Sequence, residues 1–161
     1  MSKLIGRNFV HREVREKGGA YGGYATYFSL SGIFGLSSYR DPHIINTLKT
    51  FDRTLPWLLG GDFTDEDIKE AILQVCADIG KPLPPDNTAA KQFLRKIIGL
   101  SDRDRRLFKS RLLKVNRQKI MRAAKKLAAD MAKSSVAVIS YDGKLKSTNE
   151  KMDNPLDIRK I

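Results

Sequence analysis

The chain has 161 residues, 41% hydrophobic and 30% charged, proportions that suit one globular domain able to bury a core. It contains no apolar run near the roughly 20 residues a membrane helix needs, no charged, apolar, small-residue order of a secretory signal at its start, and a single cysteine, which excludes an internal disulfide. Its 30 Lys and Arg exceed its 18 Asp and Glu by a formal +12, so a basic surface with an anionic partner is one function class to weigh.

Residues 4–17 predict a helix, with Leu4, Ile5, Phe9 and Val10 on its apolar stripe and Val14 continuing it. Gly18 and Gly19 stop it: glycine takes a left-handed conformation cheaply, so Gly18 suits the position just past the helix end, and cations in the last turn oppose the negative end of the dipole. The period then changes. Residues 21–29 read Tyr-Gly-Gly-Tyr-Ala-Thr-Tyr-Phe-Ser, rich in strand-favouring aromatics, and Leu30-Ser31-Gly32 turns the chain into a second strand at 33–39.

Asp41-Pro42 opens a turn. A helix from residue 44 carries Ile45, Leu48, Phe51 and Leu55 on one face, with Pro56 and Trp57 near its end before Gly60-Gly61. Thr64 with Asp67 three residues later approximates a capping box, opening a helix whose stripe is Ile68, Ala71, Ile72, Val75 and Ile79 and which ends at Gly80. Cys76 lies in that apolar stripe and reads as a small buried hydrophobe in preference to a reactive thiol. Lys81-Pro82-Leu83-Pro84-Pro85 cannot continue a helix and is expected as an extended connector. Helices follow at about 88–98, 102–114 and 117–133, the second and third capped by Ser101 and Asn116, the last with Ile120, Ala124, Leu127, Ala128 and Met131 on its apolar face. Residues 135–141, containing Val136-Ala137-Val138-Ile139, predict a third strand covered on both faces. The division expected is a domain at 1–141 and a polar, loosely ordered tail at 142–161. The fold class is α+β: a small antiparallel or mixed sheet of about three strands packed against about six helices.

The charge is concentrated. Residues 91–133 hold fifteen Lys and Arg against Asp102, Asp104 and Asp130, and the remainder of the chain is balanced, so the entire excess belongs to three consecutive helical segments. These could face RNA, DNA, anionic lipid or an acidic protein surface. A solvated helix face is the plainer interpretation, because the segment has only Phe93 and Phe108 for base stacking and matches no zinc-finger, RRM or KH signature.

The run HREVREKGGAYGG, followed by LSGIF, SYRDP, FTDEDIKEAIL and the KPLPP linker, resembles the C-terminal half of the pitrilysin/insulinase-type zinc metallopeptidases, in particular the branch of presequence proteases, from about His11 to Leu127. The resemblance implies an incomplete metallopeptidase domain, truncated at its N-terminal side, since the family places a strand and the first part of a helix before this point. The piece implied is a fragment, or a naturally separate part, of a larger enzyme that degrades peptides inside a closed chamber. In that family the zinc sits in the N-terminal half on H-x-x-E-H, and the C-terminal half contributes an arginine and a tyrosine that reach across to the substrate. Carried over by position, these are Arg15 and Tyr21. The guanidinium and the phenol would hydrogen-bond the substrate backbone and the oxyanion that develops during attack. Gly22 and Gly23 would let a substrate strand come close to the backbone, a bulge being the competing explanation.

Each assignment has a plainer competitor: Arg15 as a helix-end cation opposing the dipole, Tyr21 as one more strand aromatic. His11 and His43 are the only histidines, neither followed by Glu-His, and Cys76 has no Cys or His neighbour at ligand spacing. His11 reads as a helix-surface or packing histidine and His43 as a turn residue. No zinc site is therefore expected in this chain, the parent's zinc being bound by the N-terminal half. The partners implied are peptide substrates and that zinc-bearing half, onto which the basic region could dock, with nucleic acid as the alternative and no membrane. The compartment implied is the mitochondrial matrix in a eukaryote and the cytoplasm in a bacterium.

Overall fold

The computed structural model describes residues 1–82, 84–130 and 133–160. Leu83 of the connector and Met131 of the predicted apolar face lie outside them. A short helix α1 (Ser2–Ile5) runs directly into a π-helix (Gly6–Glu16), followed by β1 (Gly22–Phe28), β2 (Ile33–Tyr39), α2 (Ile44–Asp52), α3 (Thr54–Gly60), α4 (Asp65–Gly80), α5 (Pro85–Ile97), α6 (Asp102–Leu113), α7 (Arg117–Asp130) and α8 (Asp142–Asn149). The class is α+β, with a sheet smaller than expected.

The apolar stripe of the first helix does what its spacing requires: Leu4, Ile5, Phe9, Val10 and Val14 are all buried. They meet Leu55 and Leu58 of α3, Ile68 of α4, and Ile120 and Ala124 of α7, which together with Ala20 and Phe63 form the core. Phe9 stacks on Trp57 with ring centroids 5.2 Å apart. Arg117, at the first position of α7, fastens that helix to the others. Its Nη1 donates to the Gly61 carbonyl at 3.0 Å, its Nη2 donates to the Phe63 carbonyl, and its guanidinium lies 4.5 Å from the Phe63 ring centroid.

β1 and β2 pair antiparallel from Gly22 opposite Tyr39 to Phe28 opposite Ile33, residue for residue and without a bulge. The expected third strand does not form: residues 134–140 carry neither helix nor ladder, and Val136 and Ile139 are exposed. A run of Val and Ile specifies extended backbone but not a bonding partner, and here the run lies beside β2, lining a groove with Leu36 to Tyr39, without joining the sheet.

The helix predicted from residue 44 is broken in two. Pro56 lacks an N–H and its ring would collide with the carbonyl of Asp52, so α2 stops there and Pro56 sits in the first turn of α3, where a missing donor is harmless. α2 turns Thr47 and Thr50 inward, while Ile45, Leu48 and Phe51 are only half-buried. Thr47 and Thr50 bury their hydroxyls satisfied, donating to Asp41 Oδ2 at 2.6 Å and to the Asn46 carbonyl at 2.8 Å. The polar tail is also more ordered than expected, since α8 occupies its first part and buries Thr148.

Candidate functional site

The site is built on the junction between the π-helix and β1. The helix closes with a bond from the Lys17 N–H to the Arg12 carbonyl five residues back, at 3.0 Å, and the chain then turns through Gly18 and Gly19. Gly19, not Gly18, takes the left-handed conformation, with φ +74°. Gly18 is needed for a different reason, since a Cβ there would lie 2.6 Å from the Val14 carbonyl oxygen. The turn is tied by the Gly19 N–H to the Arg15 carbonyl at 3.0 Å and the Ala20 N–H to the Val14 carbonyl at 3.1 Å. The Tyr21 N–H then donates to the Tyr39 carbonyl at 3.1 Å. Arg15 and Tyr21 thus stand on either side of one fixed turn, both exposed.

Their side chains are engaged with different neighbours. Arg15 Nη1 lies 3.3 Å from His11 Nε2, and His11 Nδ1 lies 3.2 Å from Glu16 Oε1. Tyr21 meets Tyr39 edge to face at 5.9 Å, and the Arg40 guanidinium caps both rings, 5.8 Å from the Tyr21 centroid and 5.4 Å from that of Tyr39. Arg40 holds φ +47°, unusual for a residue with a side chain, and no pattern in the sequence marks it. Glu13, in the last turn, accepts from Lys17 at 2.8 Å and from Arg12 at 3.0 Å. Those bonds, that of Lys17 foremost, hold its carboxyl below the usual carboxylate range.

Gly22 and Gly23 are both buried. The space a side chain would take at Gly23 is filled by Val10 Cγ1 and Val14 Cβ, each 3.0 Å from a Cβ built there, and the ring of Tyr24 covers Gly22. A groove runs beside β1, lined by Gly23 to Thr26, by His11, Arg12 and Glu16 of the π-helix and by Gly61 to Thr64. Arg15 and Tyr21 are not among its lining residues. Among the described residues, no group of three or more His, Cys, Asp or Glu could hold a metal ion. His11 is committed to Arg15 and Glu16, His43 precedes α2, and Cys76 is half-buried.

A two-stranded sheet laid on a helix that ends in a glycine turn, with a helical array behind it, is the setting in which known proteins match this chain. The family model described as the PreP C-terminal domain matches residues 1–142, and the chain belongs to that family. It is 42% identical over 120 residues to the mitochondrial presequence protease of Mus musculus, covering 74% of this chain and 11% of that protein. It is 34% identical over 145 residues to the mitochondrial presequence protease of Xenopus tropicalis, covering 89% of this chain and 14% of the relative. Presequence protease 1, chloroplastic/mitochondrial, of Arabidopsis thaliana is 28% identical over 160 residues, covering 99% of this chain and 15% of the relative. The chain thus spans between 11% and 15% of the length of these three proteins. The donor set described above does not fit the zinc of a metallopeptidase, which takes three protein ligands and an open position.

Proposed function

We propose that this chain is the C-terminal, non-zinc-binding part of a presequence-protease-like metalloendopeptidase, walling the chamber and supplying substrate and transition-state contacts from Arg15 and Tyr21. The observation that carries this reading is the family match over residues 1–142, within which Arg15 and Tyr21 flank a tightly bonded glycine turn with both side chains open to solvent. A guanidinium offers donors only, and a phenol can donate one hydrogen bond. Both suit a peptide carbonyl oxygen as it gains negative charge, and each such donor contributes on the order of 3 kcal/mol to transition-state binding. Gly23 serves substrate through the groove it lines beside β1, with Gly22 next to it, and a peptide could lie there as an added strand. The zinc belongs to the remainder of the enzyme, and the mitochondrial names of the relatives support the mitochondrial matrix as the compartment.

The test combines the purified chain with the zinc-bearing remainder of a presequence protease and follows a fluorogenic peptide. The chain alone gives no hydrolysis and retains no stoichiometric zinc. The combination is active, and Arg15→Ala or Tyr21→Phe lowers kcat by about 100-fold. Chelator-sensitive hydrolysis by the chain alone would overturn the assignment.

A second reading is favoured by one observation. α5 and α6 have no buried residue and leave Phe93, Ile97, Phe108 and Leu113 exposed, and α6 with the second half of α5 lies in the segment that holds the whole net positive charge. Such a surface suits an acidic face of the remaining enzyme, with nucleic acid as the alternative ligand.

A further inference from the structure

We infer that His11 is a positioning residue: as the Nδ1–H tautomer, it uses Nε2 to accept a hydrogen bond from Arg15 and so aims the guanidinium. The inference rests on the reading of Arg15 as a substrate contact.

The tautomer follows from the partners. Glu16, as a carboxylate, can only accept, and the Arg15 guanidinium can only donate. His11 lies between them, with Nδ1 3.2 Å from Glu16 Oε1 and Nε2 3.3 Å from Arg15 Nη1. Because Arg15 can only donate, Nε2 must be bare, and the neutral ring then carries its proton on Nδ1, the side that faces Glu16. The π-helix makes this three-way contact possible. In an α-helix, the residue five positions on points about 140° away from the first. In the wider π turn, the fourth and fifth residues both fall about one turn on, so Arg15 and Glu16 flank His11.

The other charges around His11 are largely committed. The groove it lines also holds Lys3, Arg7, Arg12, Asp62 and Asp67. Lys3 pairs with Asp78 at 2.7 Å, Arg7 with Glu70, Arg12 with Glu13 at 3.0 Å, and Asp67 with the Thr64 N–H at 2.7 Å. Protonation of His11 would put a hydrogen on Nε2, remove the only acceptor there and set two cations side by side. Arg15 would then be released.

Two measurements on the full chain separate this inference from the reading beneath it. Side-chain ¹⁵N NMR of the chain at neutral pH is expected to show His11 protonated on Nδ1 and bare on Nε2. A dominant Nε2–H form would overturn the inference. In hydrolysis by the chain combined with the zinc-bearing remainder, His11→Leu is expected to lower kcat roughly 10- to 100-fold with little change in KM, as misplacement of a contact does. His11→Gln keeps an acceptor for Arg15, so it should restore most of kcat, which a merely structural role would not do. If Arg15→Ala abolishes activity while His11→Leu is silent, the positioning role fails and the Arg15 assignment stands. If Arg15→Ala is itself silent, the Arg15 assignment fails and the positioning role falls with it.

Discussion

At Gly23 the strand and the first helix come as close as two backbones comfortably allow. A methyl group there would press on Val10 Cγ1 and Val14 Cβ at 3.0 Å and on the Val10 carbonyl oxygen at 3.1 Å, all of them buried or fixed by the helix. Gly23→Ala is therefore an overpacking change, expected to destabilise the chain by about 1–3 kcal/mol in urea unfolding. Gly32, where a Cβ would meet nothing within 4 Å, is the contrasting site, since only its positive φ of +73° would resist substitution. A Gly23→Ala variant as stable as the parent would mean that β1 does not lie on Val10 and Val14 in solution.

Among the elements, α4 has the best-defined start. Thr64 accepts from the Asp67 N–H at 3.1 Å, and Asp67 accepts from the Thr64 N–H at 2.7 Å, a reciprocal capping box. α6 repeats it with Ser101 and Asp104. The Thr64 backbone N–H foremost, and its hydroxyl next, hold the Asp67 carboxyl below its ordinary range. A carboxylate depressed in the folded state adds stability that is present above its unfolded pKa and is lost as pH falls through the lower folded value. The start of α4 should accordingly fray only as pH drops below about 4. Amide exchange at Thr64 and Asp67 would follow it, and Asp67→Ala should remove that pH dependence. Thr64→Ala should cost about 1 kcal/mol in the melt. Both partners were visible in the sequence, because a capping box needs only residues three apart.

Over the whole molecule, packing is uneven. The N-terminal helix, α3 and α7 converge on one core, whereas α5 and α6 have no buried residue. With fifteen of the 30 basic residues between positions 91 and 133, that flank should bind polyanions weakly and with strong salt dependence if it is a nucleic-acid surface. Titration of labelled RNA and DNA at low and physiological salt is expected to show no binding that survives physiological salt, with the flank instead engaging the remaining enzyme. Tight, sequence-tolerant binding at physiological salt would instead favour the alternative function, a stand-alone basic binding module for nucleic acid.

The local elements were legible because their causes are local. The apolar spacing of Leu4, Ile5, Phe9, Val10 and Val14, the glycine stop, the span of β2, the Thr64–Asp67 capping box and the cap at Ser101 depend on residues within a few positions of one another. The roles proposed for Arg15 and Tyr21 rest on resemblance alone, since an exposed arginine and an aromatic before a strand have no pattern of their own. Other features waited on the three-dimensional chain. Residues 135–141 have strand composition but no ladder, because pairing depends on what lies alongside. Thr47 and Thr50, not Ile45 and Leu48, occupy the most buried face of α2, with the Thr47 hydroxyl satisfied by Asp41 from the loop before the helix. The Glu16–His11–Arg15 bridge exists because the helix is wound as π, placing the fourth and fifth residues together beside the first. Sequence determines what depends on spacing along the chain; the tertiary structure decides which surfaces meet, because burial and hydrogen-bond partners are set by neighbours distant in sequence.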